Sequence, residues 1–164
     1  MPKAIIVGAS RGIGLGLVEE LAGRGWEVLA TVRDPAGAGE LNQLALGGKA
    51  RIERVDVNDP DTVLRLRDRL EGETFDLVFL NAGMGNPRGA RVDNVDDETF
   101  ARLFETNALG PVRTAELLTG KIAPGTGCVA FMSSRLGSVA DRSSDHSELY
   151  SASKAALNSL VRAY

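Results

Sequence analysis

The chain has 164 residues, 43% of them apolar and 25% charged, with a formal net charge of −3. That length suits one domain with a sizeable core, and the balance of charge argues against a dedicated nucleic-acid or anionic-membrane surface. No apolar run approaches the roughly 20 residues of a membrane span, MPKAIIVGAS lacks the form of a signal peptide, and a single Cys128 fits a reducing, cytoplasmic setting.

Lys3 to Val7 is a short β-branched run ending at Gly8, which reads as a buried parallel strand. GASRGIG (8–14) follows, and Leu15, Leu17, Val18 and Leu21 at helical spacing predict a helix stopped by Gly23 and Gly25. Trp26 to Thr31 reads as a second strand, Pro35 to Leu46 as a weaker helix diluted by Gly37 and Gly39, and Arg51 to Val57 as a third strand. Asn58-Asp59-Pro60 opens a helix through Leu70, on which Arg65, Arg67 and Arg69 form a solvated face. Asp76 to Leu80 is the fourth strand, ending at Asn81-Ala82-Gly83, and a polar, glycine-rich loop runs from Met84 to Asp93. Asp96 or Asp97 can cap a long helix with Phe100, Leu103, Phe104 and Val112 facing inward. Gly127 to Met132 is the fifth strand, in which Cys128 reads as a buried, inert thiol. A helix from Tyr150 onward ends the chain.

Strands alternating with helices predict βαβ units with right-handed crossovers and a doubly wound parallel sheet covered on both faces, an α/β three-layer Rossmann-type fold. In such sheets the ligand crevice lies beyond the carboxyl ends of the strands. Gly8, Arg33, Asp56, Asn81 and Ser134 all follow strand ends. His146 is the only histidine, which leaves no zinc cluster and no Ser-His-Asp triad.

The glycine turn joins the first strand to the first helix. Gly8 allows the tight turn, Gly12 a close approach of backbone to a pyrophosphate, and Gly14 close packing of helix on sheet. The helix start offers N–H groups and a positive dipole to phosphates. Cofactor choice is expected at the end of the second strand, where a carboxylate would suit NAD and an arginine the 2′-phosphate of NADP. Val32 holds the acidic position and Arg33 follows it, with Arg11 as a second cation, so NADP(H) is the expected cofactor; Asp34 reads as a cap before Pro35.

Tyr150 and Lys154 lie four apart on one helix, so phenol and ammonium share a face. A free tyrosine, with a pKa of about 10, is a reluctant acid at neutral pH, and a fixed positive charge nearby favours its phenolate. Such a pair can exchange a proton with a reacting oxygen.

GASRGIG (8–14), Asp56-Val57, Asn81-Ala82-Gly83, Asn107, Ser133-Ser134 and YSASK (150–154) together resemble the short-chain dehydrogenase/reductase family in its single-domain branch. The long gap between Ser134 and Tyr150, with SKAALN, is most similar to the C-factor and Sniffer-type carbonyl reductases. The resemblance implies that Tyr150 donates a proton to a substrate carbonyl, that Lys154 lowers the phenol's pKa and holds the nicotinamide ribose, and that Ser134 hydrogen-bonds the carbonyl oxygen, with Ser133 second in rank. It implies that Ser10, Arg11 and Ile13 sit with the three glycines around the phosphates. Asp56 and the Val57 backbone would take adenine, while Asn81, Ala82 and Gly83 line the adenosine and ribose. Asn107 would join a proton relay through a water to Lys154. Its carbonyl lacks a helical donor because Pro111, four residues on, has no N–H; a plain proline kink is the structural alternative. The implied reaction is hydride transfer from NADPH to a small-molecule ketone or aldehyde.

Family members usually continue well beyond the Tyr150 helix, so residues 1–164 are expected to be one NADP-binding domain that is C-terminally incomplete. CVAFM would then be an unprotected edge. Pairing into a dimer or tetramer through helices beginning near Glu98 and Tyr150 is the expected partnership. A catalytically silent nucleotide-binding or dimerising module is the alternative function. An extended-branch epimerase or dehydratase fits poorly with GxxxGxG. The polar loop Gly137 to Glu148 reads as a solvated insertion or a lid.

Overall fold

The computed structural model describes residues 1–141 and 147–164. Arg142 to His146, the middle of the polar loop and the lone histidine, lie outside the described residues. Five strands form one parallel sheet: β1 (Lys3–Val7), β2 (Glu27–Val32), β3 (Arg51–Arg54), β4 (Leu77–Leu80) and β5 (Cys128–Phe131). The spatial order is β3-β2-β1-β4-β5, so the chain winds outward in both directions from β1. Ile5, Ile6 and Ala4 are fully buried, as the near-continuous apolar run of a strand covered on both faces demands.

Helices α1 (Gly12–Gly23) and α2 (Gly39–Leu46) follow β1 and β2; α3 (Pro60–Arg69) follows β3. Two cores result. Ala4, Ile6, Val18, Ala30 and Leu41 lie on one side of the sheet with α1 and α2. Ile5, Val7, Leu66, Val78, Leu80, Ala115 and Leu118 lie on the other, with α3 and a later helix. The alternation of odd and even residues of β1 between these cores is the period-two geometry of a strand. The three-layer Rossmann-type fold is therefore present as expected, with all strands parallel.

The boundaries differ from the sequence reading in instructive ways. The third strand stops at Arg54, three residues early, so Asp56 and Val57 lie in the loop above the sheet. The weak helix from Pro35 divides into a 3₁₀ turn, Pro35–Gly37, capped by Asp34, and α2. The long helix after Asp96 is not continuous: α4 (Asp97–Phe104) passes through a π turn, Glu105–Leu109, into α5 (Gly110–Leu118). Gly110 N–H donates to the Glu105 carbonyl, five residues back. A π turn inserts one residue and rotates everything after it, so a single helical face cannot be drawn through the segment. Leu103 is buried as expected, whereas Phe104 and Val112 are half-buried and Phe100 is 42% exposed, its ring 4.4 Å from that of Phe104.

Cys128 also departs from expectation. It is exposed, because β5 is an outer strand and its first residue stands at the rim rather than in a covered run. The last helix, α6 (Glu148–Ala163), carries Tyr150 and Lys154. No described helix is long and apolar enough to cross a membrane.

Candidate functional site

All five strands end at nearly one level: Val7 pairs with Thr31 and Leu80, Val32 with Arg54, and Leu80 with Phe131. The loops leaving those ends enclose a cleft of about 530 Å³. Gly8, Ser10, Arg11, Gly12, Arg33, Asp56, Val57, Asn81, Ala82 and Gly83 line it, ten of the residues singled out from sequence.

The floor is built by backbone pairing. Gly8 and Ala9 N–H donate to the Thr31 carbonyl, while Asn81 and Ala82 N–H both donate to that of Val7. Asn81 Nδ2 donates to the Gly8 carbonyl at 2.8 Å, so this side chain locks the turns after β1 and β4 together. Gly8 has φ +88°, and a Cβ there would lie 2.7 Å from the Ala82 backbone. A Cβ at Gly14 would run into the Gly8 carbonyl and into Asn81 Nδ2. Gly14 is thus buried beneath the cleft, where it lets α1 sit close to the sheet. Ile13 points away, 62% exposed. Arg11 precedes α1 with no side-chain cap, and the first turn holds no acidic residue. The opening N–H groups and the dipole of α1 are left for a ligand, and they favour an anion.

Two of the catalytic candidates, Asn107 and Lys154, meet at the other end, beside Gly83, while Tyr150 and Ser134 are not among the residues lining the cleft. A Cβ on Gly83 would sit 3.2 Å from Asn107 Oδ1 and 3.6 Å from Lys154 Nζ. Asn107 is fully buried within the π turn, and its amide is fully used. Oδ1 accepts from Met84 N–H at 2.7 Å; Nδ2 donates to the Met84 carbonyl and to Ser153 Oγ. The side chain therefore joins the loop after β4 to α6, a role the proline argument did not foresee. Lys154 is 3% exposed and donates from Nζ to the Met132 carbonyl at 2.7 Å. Burial pulls the pKa of this ammonium below its ordinary value, since the low-dielectric surroundings penalise the charged form. Nζ lies 5.9 Å from the centre of the Tyr150 ring. Among the described residues, the Tyr150 hydroxyl has no hydrogen-bond partner.

The two serines differ. Ser133 Oγ donates to Asn158 Oδ1 of α6 at 2.6 Å. Ser134 Oγ accepts from Leu136 N–H at 3.2 Å, capping the short turn Arg135–Gly137, and among the described residues it donates to no acceptor. That turn presses on α6: a Cβ at Gly137 would lie 2.9 Å from the Lys154 carbonyl carbon.

Sequence reasoning missed several residues. Asn58, Met84, Arg102 and Thr106 also line the cleft. Asn86 Oδ1 accepts from Tyr150 N–H at 3.2 Å, while its Nδ2 donates to the carbonyls of Pro87 and Ala90. Glu148 Oε1 accepts from Val92 N–H at 2.7 Å. Asn58 adjoins Asp56 at a strand end and was findable by position. The others depend on which face of α4 and which loop tip meet the cleft, and nothing local in sequence encodes that.

A model of the short chain dehydrogenase family matches residues 2–164. The chain belongs to the short-chain dehydrogenase family. It is an oxidoreductase fold whose members use nicotinamide cofactors. The chain is 33% identical over 165 residues to cis-4-hydroxycyclohexanecarboxylate dehydrogenase of Sinomonas cyclohexanicum, with 97% of this chain and 64% of that enzyme covered. The chain thus spans less than two-thirds of that relative. A carbonyl reductase from Pseudomonas aeruginosa PAO1, solved in complex with NADP, superposes with a TM-score of 0.92 at 43% identity, covering 99% of this chain and 74% of the other. The carbonyl reductase Sniffer of D. melanogaster gives 0.89 at 27% identity, with 99% and 73% covered. The chain is therefore similar to carbonyl reductases over 99% of its length.

Proposed function

We propose that the chain is the cofactor-binding and proton-donating part of an NADPH-dependent carbonyl reductase. The observation that carries this reading is the cleft itself, which runs from the uncapped start of α1 to Gly83, behind which Lys154 and Asn107 are buried. The cleft fits a dinucleotide: glycines where a backbone must come close, a helix start for pyrophosphate, Arg11 and Arg33 for a 2′-phosphate, and Asp56 with the Val57 backbone for adenine. The nicotinamide supplies hydride when bound.

The chain's own residues do the rest. Asn81, Ala82 and Gly83 form the wall along the ribose side, and Lys154 reaches the nicotinamide ribose past Gly83. Tyr150 gives its phenolic proton to the carbonyl oxygen, and the Lys154 ammonium near its ring stabilises the phenolate left behind. Ser134 donates to the same oxygen. Its hydroxyl is better disposed for this than that of Ser133, which is spent on Asn158. Asn107 holds the Met84 backbone and α6 in register for the relay. The 43% identity to a carbonyl reductase crystallised with NADP favours both the cofactor and the substrate class. A cytoplasmic setting and one nucleotide domain over residues 1–164 complete the proposal. So does pairing of two copies through the faces that expose Phe100 on α4 and Leu160 on α6.

Tyr150→Phe is the direct test. NADPH oxidation with an aldehyde or diketone should disappear while NADPH affinity stays within a few-fold. Full turnover in that variant rejects Tyr150 as the donor. Saturable NADPH binding without turnover in the unaltered chain supports instead the silent nucleotide-binding module.

A further inference from the structure

Arg102 lines the cleft and has no part in the reading above. It lies on α4, and Thr106, in the π turn that follows, lines the cleft beside it. Thr106 Oγ1 accepts from Asn58 Nδ2 at 2.8 Å, and Asn58 N–H donates to Asp56 Oδ1 at 3.0 Å. These bonds fasten the π turn after α4 to the loop above β3, beside the carboxylate assigned to adenine. Arg11 and Arg33 reach the cleft from its other wall, off the glycine turn and the end of β2. Among the described residues Arg102 has neither a carboxylate partner nor a hydrogen bond. A solvated arginine on a convex helix would look the same, but this one borders a concave site.

We propose that Arg102 is a nucleotide-binding residue, holding the adenine by laying the guanidinium plane over the purine face. The assignment rests on the dinucleotide reading of the cleft. Guanidinium is planar and weakly hydrated, and it stacks on π-systems where an ammonium acts only as a point charge. Asp56 and Asn58 meet the edge of the ring, and Arg102 covers it from α4. Adenine is common to NADH and NADPH, so Arg102 contributes equally to both. Arg33, which faces the 2′-phosphate, contributes to NADPH alone.

Fluorescence titrations of the 164-residue chain and of the Arg102→Ala, Arg102→Lys and Arg33→Ala variants with NADPH and with NADH separate these roles. Arg102→Ala should weaken both cofactors by a common factor, about tenfold. Arg102→Lys should show the same loss, and Arg33→Ala should weaken NADPH only. Unchanged affinity for both cofactors in Arg102→Ala overturns the proposal. A loss confined to NADPH moves Arg102 to the phosphate and overturns the adenine role, and full rescue by lysine overturns stacking in favour of charge. Far-UV circular dichroism of each variant guards against loss of fold. If the unaltered chain binds neither cofactor, the dinucleotide reading itself fails and this assignment falls with it.

Discussion

Lys154 is buried at an energetic cost. Its ammonium is buried against one carbonyl, that of Met132, and no carboxylate pairs with it among the described residues. Desolvation lowers its pKa from the ordinary 10.5, so the folded chain holds this proton less tightly than the unfolded chain does. The penalty on folding is complete below the depressed folded value and is relieved as pH rises through it toward 10.5. Urea unfolding of the wild type and Lys154→Met at about pH 7.5 and about pH 9.5 tests this. The wild type should gain stability relative to the variant at the higher pH, and a constant difference would mean that burial does not perturb the group. Asn107 illustrates the opposite economy: it is as buried as any apolar residue, yet every polar atom of its amide is matched.

At the scale of elements, the start of α6 is held from a distance. Ser147 precedes it with φ +62° and offers no side-chain cap, so the cap comes from Asn86, which accepts from Tyr150 N–H, while Glu148 takes Val92 N–H from the same loop. A missing helix cap costs about 1 kcal/mol. Asn86→Ala should therefore melt about 2–4 °C lower, and Asn86→Asp, which keeps the acceptor, should recover most of the loss in thermal unfolding; identical melting of all three chains would contradict the cap. The sequence pointed to Asp34, to Asn58-Asp59 and to Asp96 or Asp97 as caps because they stand directly before a helix or turn, and Asp34, Asp59 and Asp96 take that place. Asn86 stands 64 residues from Tyr150 and could not be read. The π turn was hidden for a related reason. Pro111 and Gly110 signal an irregularity, but its kind depends on the packing of Asn107 against Met84 and Ser153.

For the whole molecule, the order β3-β2-β1-β4-β5 makes β1 the centre and leaves β3 and β5 outermost. Alternating strands and helices were enough to read this architecture, because parallel strands joined by crossovers admit few arrangements. The strand pattern also placed Gly8, Arg33, Asp56 and Asn81 at strand ends, where they line the cleft, while the other six lining residues came with the glycine turn and the family resemblance. It could not place Arg102, since α4 enters the site only through tertiary packing. Pairing on both sides should give Ala4–Val7 the slowest amide exchange in the chain, with Cys128–Phe131 markedly faster. Equal protection of the two strands in a hydrogen-exchange measurement would mean that another chain covers β5.

The level ending of the strands divides the molecule by tolerance to change. Every loop that leaves a helix to enter a strand, such as Arg24–Trp26 or Gly47–Ala50, lies along the opposite rim of the sheet from the cleft. Residues inserted along that far rim lengthen a loop at modest entropic cost and leave strand pairing untouched. One residue inserted within a strand would turn its later side chains to the other face and move its end by about 3.3 Å. Tags, labels and length variation therefore belong at the far rim, where the chain can accommodate them without reshaping the surface that meets the ligand.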